Sequence, residues 1–353
     1  MRWRLFRDTH QGYGYYIFWS VRFFTGEGER NVVAIPSRLS VTMTIGFLQR
    51  YGLALKINGW PKILVPSLLG QLLGSLVATR FTLRGAGLPL AFTLAGLVYI
   101  LLLNDWGDEA VDRIKRRMFP HSSGPKTLPD GLLPRGQVLR GGILALLLAL
   151  GCAAALSSGG GRPWFLPGAG LGVLLFQAYS FAPCKLNYRG GGELLEMLGV
   201  GVLLPWLHAY GQAGVLWHPL YGYGGGFALL SLASALASGL SDEESDLVGG
   251  KRTFITLWGN DRVRKHIDHL LIFAGTAWLF VALERRESSP WWLMLAPLGC
   301  LWYFGWRLRQ LSAEAVTRAF AAQSAYKKVL HHGIWVSTLV LALVLGLAER
   351  IFY

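Results

Sequence analysis

The sequence predicts an all-α integral membrane protein with about nine transmembrane helices, and three observations carry that prediction. Hydrophobic residues make up 52% of the 353 and charged residues only 15%, too little charge for a water-soluble chain of this length. The apolar residues gather into runs of roughly 18 to 22, the length a helix needs to cross the hydrocarbon core. Finally, 28 of the 34 Lys and Arg residues fall in the N-terminal segment and in alternate connections between these runs, the asymmetry that sets membrane topology. A secreted disulfide scaffold, a disordered tail protein and a nucleic-acid binder are excluded, the last despite a net charge of +14. Anionic lipid and an anionic substrate are the expected partners of that charge.

Residues 1–55 form a basic, aromatic segment. Arg2, Arg4, Arg7 and Arg22 interrupt it, and no apolar core followed by a small-residue cleavage site marks a signal peptide. Its mixture of charge and rings suits a membrane surface. The membrane domain, residues 56–353, follows with runs at Pro61–Thr79, Leu88–Leu103, Val138–Ser157, Trp164–Phe181, Leu194–Tyr210, Phe227–Leu240, Ile267–Leu283, Trp291–Leu308 and Gly333–Leu347. The charge asymmetry places the N-terminus and the even-numbered connections in the cytoplasm and the C-terminus outside, with a bacterial inner membrane as the expected location. Cys152, Cys184 and Cys300 are scattered, with no zinc-ligand spacing, and read as packing residues. His266 and His269 beside Asp268 read as a solvated helix entrance, and Gly168, Gly170 and Gly172 as close-packing residues.

Two acidic clusters close the second and sixth runs. The first, Asn104-Asp105-Trp106-Gly107-Asp108-Glu109-Ala110-Val111-Asp112, reads NDxxDxxxD; the second, from Asp242 to Asp246, reads DxxxD and leads into Gly249-Gly250-Lys251-Arg252-Thr253. On a continuous helix Asn104, Asp108 and Asp112 share one face. Clustered carboxylates repel one another unless a cation neutralises them. Oxygen ligands without Cys or His suit Mg²⁺, which takes one or two carboxylates and completes its shell with water and phosphate oxygens. With Lys and Arg alongside, the two motifs describe a site for a diphosphate carried on Mg²⁺. Either motif alone reads equally well as a solvated helix end.

These residues resemble the motifs of the UbiA superfamily of intramembrane prenyltransferases, over roughly Lys56 to the C-terminus. Tyr179 to Glu193 is similar to the corresponding segment of the menaquinone-type branch, whose members prenylate dihydroxynaphthoate. The resemblance implies a UbiA-like helical barrel with a cytoplasmic-side active-site cap, Mg²⁺ as cofactor, an allylic prenyl diphosphate as donor, and an aromatic or other hydrophobic acceptor. By that analogy Asn104, Asp105, Asp108, Asp112, Asp242 and Asp246 hold the metal, and the last four of these, Asp108, Asp112, Asp242 and Asp246, are catalytic. Lys56, Tyr179, Lys185 and Lys251 contact the diphosphate. Glu193 and Glu196 take a proton or bind the acceptor, or simply favour a helix N-terminus. Trp106, Phe176 and Tyr179 are candidates to face an allylic cation, with packing as the alternative. Two other readings stay open: a membrane terpene cyclase of the same superfamily, and an ion-coupled transporter. Asp108, the middle acid of the first motif, favours transfer; the shared orientation of the second and sixth helices disfavours an inverted-repeat carrier.

Overall fold

Apolar runs in lipid must satisfy their own backbone hydrogen bonds, and this chain does so with helices. The computed structural model describes residues 5–8, 14–17, 46–120, 124–286 and 290–352. It separates into two units, Met1–Arg50 and Tyr51–Tyr353. In the first, β1 (Leu5–Asp8) pairs antiparallel with β2 (Gly14–Ile17), Leu5 opposite Ile17. Most of the segment expected at the membrane surface lies outside the described residues.

Helix α1 (Phe47–Ala54) leads to α2 (Pro61–Val77), α3 (Leu83–Gly107), the short α4 (Glu109–Met118), α5 (Arg135–Gly159) and α6 (Phe165–Ser180). A composite helix then runs through α7 (Gly192–Glu196), a π-helical stretch (Met197–Leu203) and α8 (Leu204–Ala213). It is followed by α9 (Gly222–Leu240), short α10 (Glu243–Val248) and α11 (Phe254–Trp258), then α12 (Asn260–Glu284), α13 (Leu295–Ser312) and α14 (Phe320–Phe352). Each predicted run coincides with one of these helices or with the composite one. Among the described residues, six helices are long and apolar enough to span a membrane, or seven if Gln49–Gly59 and Pro61–Val77, bent by 61°, count as one span. The shortfall from nine has local causes: α6 is only 16 residues long, and Arg307 and Arg309 lower the hydropathy of α13.

The helices close into a ring. Contacts run from α2 to α3, α5, α6, the composite helix, α9, α12, α13 and α14, and α14 returns to α2. Small residues permit the closest approaches. A Cβ on Gly70 of α2 would lie 2.1 Å from the Pro205 carbonyl oxygen, and one on Gly226 of α9 would lie 2.4 Å from the Trp278 ring. Trp278 is fully buried and donates to the Tyr223 carbonyl at 3.0 Å, so its indole packs without an orphaned N–H. Cys184 is exposed, contrary to the packing role expected of it, because it sits in the connection after α6.

Candidate active site

Both acidic motifs sit where a helix breaks, which the expectation of a continuous helical face did not include. Helix α3 stops at Gly107, Asp108 takes φ −96° and ψ 9°, and α4 resumes at Glu109. The second motif repeats this, with α9 ending at Leu240 and Asp242 preceding α10. At the first break Asp108 N donates to Asn104 O at 2.8 Å and Asp112 N to Asp108 O at 2.9 Å; at the second the turn tightens, with Asp242 N donating to Gly239 O at 2.9 Å before Asp246 N donates to Asp242 O at 2.8 Å. Spacing is therefore kept while the carboxylates turn inward; Asp105, Asp108, Asp112 and Asp246 are all buried.

Lysines from distant segments interleave with these acids. Lys251, after the second motif, meets Asp108 of the first at 2.9 Å, and Tyr188 OH donates to the other Asp108 oxygen at 2.9 Å. Lys115, after the first motif, pairs with Asp242 of the second, and Lys126 pairs with Asp112. The two motifs thus exchange lysines and face one compartment. Lys56 reaches Asp105 at 2.5 Å, and Thr127 donates to the second Asp105 oxygen. Asp105, expected as a metal ligand, thus ties Lys56 and Thr127 to the end of α3. Asn104 accepts from Ser180 Oγ at 3.4 Å.

Electrostatics separate the acids. Burial alone would raise the Asp242 carboxyl, but Lys115, then Lys327 and Lys126, hold it well below its ordinary value. Lys327 reaches Ser241 Oγ at 2.7 Å. Asp246 goes the other way: burial, with repulsion from Asp242 and Asp108, overcomes Lys251 and pushes it up to about 7. Asp112 is also raised by burial, against Lys126. Burial lowers the ammonium groups of Lys126 and Lys251, but Asp112 and Asp108 respectively more than reverse it. Among the described residues no three Asp, Glu, His or Cys side chains form a ready metal cage.

Beside these charges opens a cavity of about 430 Å³, its lining almost wholly apolar. Lys56, Lys62, Asn104, Tyr179 and Glu196 line it, as does Phe176, whereas Trp106 does not. Trp106 instead packs on Phe181 at 6.1 Å and under Arg135 at 4.8 Å. Glu193, expected to face the acceptor, accepts from Phe254 N at 2.8 Å away from the cavity lining; its neighbour Glu196 faces the cavity, paired with Lys62 at 2.5 Å. Lys185 and Lys56 both adopt left-handed backbone, φ 45° and 47°, conformations that cost a non-glycine residue roughly 1–2 kcal/mol. Lys185 lies over the Tyr188 ring at 3.8 Å and forms no ion pair among the described residues. Sequence reasoning missed Lys115, Lys126, Tyr188, Lys62 and Lys327. Tyr188 lay within the segment already singled out, and Lys115 among the basic residues beside the first motif, which were read together as phosphate partners.

No curated protein matches the chain in sequence. Among solved structures, a UbiA homologue from Archaeoglobus fulgidus bound to DMAPP and Mg²⁺ superposes with a TM-score of 0.60 at 16% identity, covering 82% of this chain and 99% of that one. A digeranylgeranylglyceryl phosphate synthase gives 0.56 at 15% identity over 86% and 99%. A UbiA homologue from Aeropyrum pernix K1 gives 0.56 at 15% over 77% and 96%. These share the fold. Residues 63–327 match the sequence pattern of the UbiA prenyltransferase family, three quarters of the chain, and the protein therefore belongs to that family.

Proposed function

We propose that this protein transfers a prenyl group from an allylic prenyl diphosphate to an aromatic or other hydrophobic acceptor, releasing pyrophosphate. The observation that carries this reading is the exchange of lysines between two acidic motifs, Lys251 with Asp108 and Lys115 with Asp242, at the polar end of an apolar cavity. One end seats a charged group and the other a hydrocarbon tail. Homologues from Archaeoglobus fulgidus have been solved with DMAPP or GPP together with Mg²⁺, which supports both substrate class and metal.

The donor set fits Mg²⁺. Asp246 is a buried carboxylate with no ion pair among the described residues, and the surrounding ligands are all oxygen. Asn104, Asp108, Asp112, Asp242 and Asp246 would hold the metal, while Asp105 anchors Lys56. When bound, Mg²⁺ neutralises the diphosphate and makes it a better leaving group. Lys251, Lys185, Lys56 and Tyr188 bind the phosphate oxygens. Phe176 and Tyr179 offer ring faces to the developing allylic cation, and the apolar lining keeps water from it. Glu196, oriented by Lys62, is placed to take the proton that the acceptor loses.

The charge asymmetry supports a cytoplasmic N-terminus and site in a bacterial inner membrane, with residues 1–55 at the surface. The purified protein, given a panel of allylic diphosphates and aromatic acceptors with Mg²⁺, should release pyrophosphate and form a prenylated product. EDTA should stop both. No release from any donor would refute the reading.

A further inference from the structure

The cavity has a measurable depth. Its α3 wall runs from Asn104 at the charged end to Phe92 at the other, twelve residues apart, or about 18 Å along a helix. The composite helix lines it over the same span, from Leu195 to Leu207. An extended isoprene unit, four carbon–carbon bonds of about 1.5 Å in zigzag, advances about 4.5 Å. Four units fill the depth.

The far end is braced by rings and a polar network, Phe92 and Leu207 being the last residues of α3 and the composite helix to line the cavity. Phe92 meets Phe165 edge to face, with ring centroids 5.4 Å apart, and Phe165 and Leu207 are buried beside it. Behind them His208, fully buried, bonds Thr93 Oγ1 at 2.7 Å and the Gln71 side chain at 2.8 Å. Gln212 donates to Gln71 at 2.9 Å and accepts from Thr82 Oγ1 at 3.1 Å. This chain ties α2, α3 and α8 with few unmet polar groups, so the floor resists displacement by a longer tail. About two thirds of the way down, Gly96 leaves the cavity wide; a Cβ there would meet nothing within 4 Å.

We propose that the cavity measures the donor's tail, selecting a diphosphate of about four isoprene units, with Phe92 as the residue that sets the limit. This rests on the diphosphate site proposed above. The test is equilibrium binding of unreactive thiolodiphosphate analogues of 10, 15, 20 and 30 carbons to the full-length protein in detergent with Mg²⁺, with inorganic pyrophosphate as a tail-less control. A tail leaving a micelle is already in an apolar medium, so its length preference comes from packing contacts and is modest, about threefold to tenfold. Affinity should peak at 20 carbons, at least about threefold above the 10- and 30-carbon analogues. Phe92→Ala should move the peak to longer tails. Gly96→Phe, which fills the channel about 12 Å down, should move it to 10 carbons. Pyrophosphate binding should be unchanged in both variants. Equal affinity from 10 to 30 carbons, or a peak that neither variant moves, overturns the ruler while leaving the diphosphate site standing. Failure of pyrophosphate and every analogue to bind overturns both.

Discussion

Replacing Asp246 with Asn should stabilise the metal-free protein while removing its function. The residue is 5% exposed and its carboxyl is pushed up to about 7 from an ordinary 3.8. A folded-state value raised above the unfolded one means that the folded protein holds its proton longer. Stability is then lost as pH rises from about 4 to about 7, and the loss is complete above that. A rise of about three units at about 1.4 kcal/mol each sets an upper bound of about 4 kcal/mol at pH 8, and about 1.5 kcal/mol at pH 5. Asn is nearly isosteric and carries no charge, so Asp246→Asn should recover a large part of this. For a chain of this size, with Tm moving about 2–4 °C per kcal/mol, the variant should melt about 5–8 °C above wild type at pH 8 and no more than about half that at pH 5. Mg²⁺ with pyrophosphate should raise the wild-type Tm and leave that of the variant unmoved. Thermal melts in detergent at the two pH values read all of this. A variant less stable than wild type at pH 8, or a gain independent of pH, would refute the picture of a buried acid awaiting a cation.

Three further outcomes follow from the geometry. Asp108→Ala and Asp242→Ala should each retain less than about a tenth of wild-type turnover, a loss above ~1.4 kcal/mol, since water substitutes poorly for an anionic ligand; a tenth or more would remove that residue from the metal site. Glu243 accepts from Asn260 at 3.2 Å, Thr317 at 2.9 Å and Gln323 at 2.9 Å, so Glu243→Ala should cost about 2–4 kcal/mol through stranded donors, read as a lowered Tm, while Glu243→Gln recovers part of it. In a Cys184→Ser background, cysteines at the exposed positions Gly124 and Arg252 should label from one side of the membrane, and those at Ser158 and Trp217 from the other; labelling of Gly124→Cys and Arg252→Cys from opposite sides would break the site apart.

The residues that were legible in the sequence are those whose chemistry shows in spacing. Asp108, Asp112, Asp242 and Asp246 announce themselves because carboxylates at a membrane boundary are costly without purpose. Lys251 follows its motif closely enough to be read with it. The missed lysines act across the fold: Lys115 leaves the first motif to serve Asp242, 127 residues away in sequence, and no local pattern encodes such a pairing. Glu193 and Glu196 differ by one helical turn, yet the cavity receives Glu196 because Glu193 is held by the Phe254 backbone. That choice belongs to a hydrogen bond between α7 and α11, whose residues are far apart in sequence. The nine apolar runs were visible as composition. The breaks at Asp108 and Asp242 were not, because neither motif contains a proline at the break.

The central claim is that acids and lysines from two distant motifs jointly hold a metal-bound diphosphate. Titration of inorganic pyrophosphate into the purified protein by calorimetry tests it without knowledge of the acceptor or the tail. The account predicts binding with Mg²⁺ present, its loss when EDTA replaces the metal, and its loss in Asp108→Ala and Lys251→Ala alike, although these residues lie 143 positions apart in sequence. Binding that ignores Mg²⁺, or that survives in both variants, would contradict it.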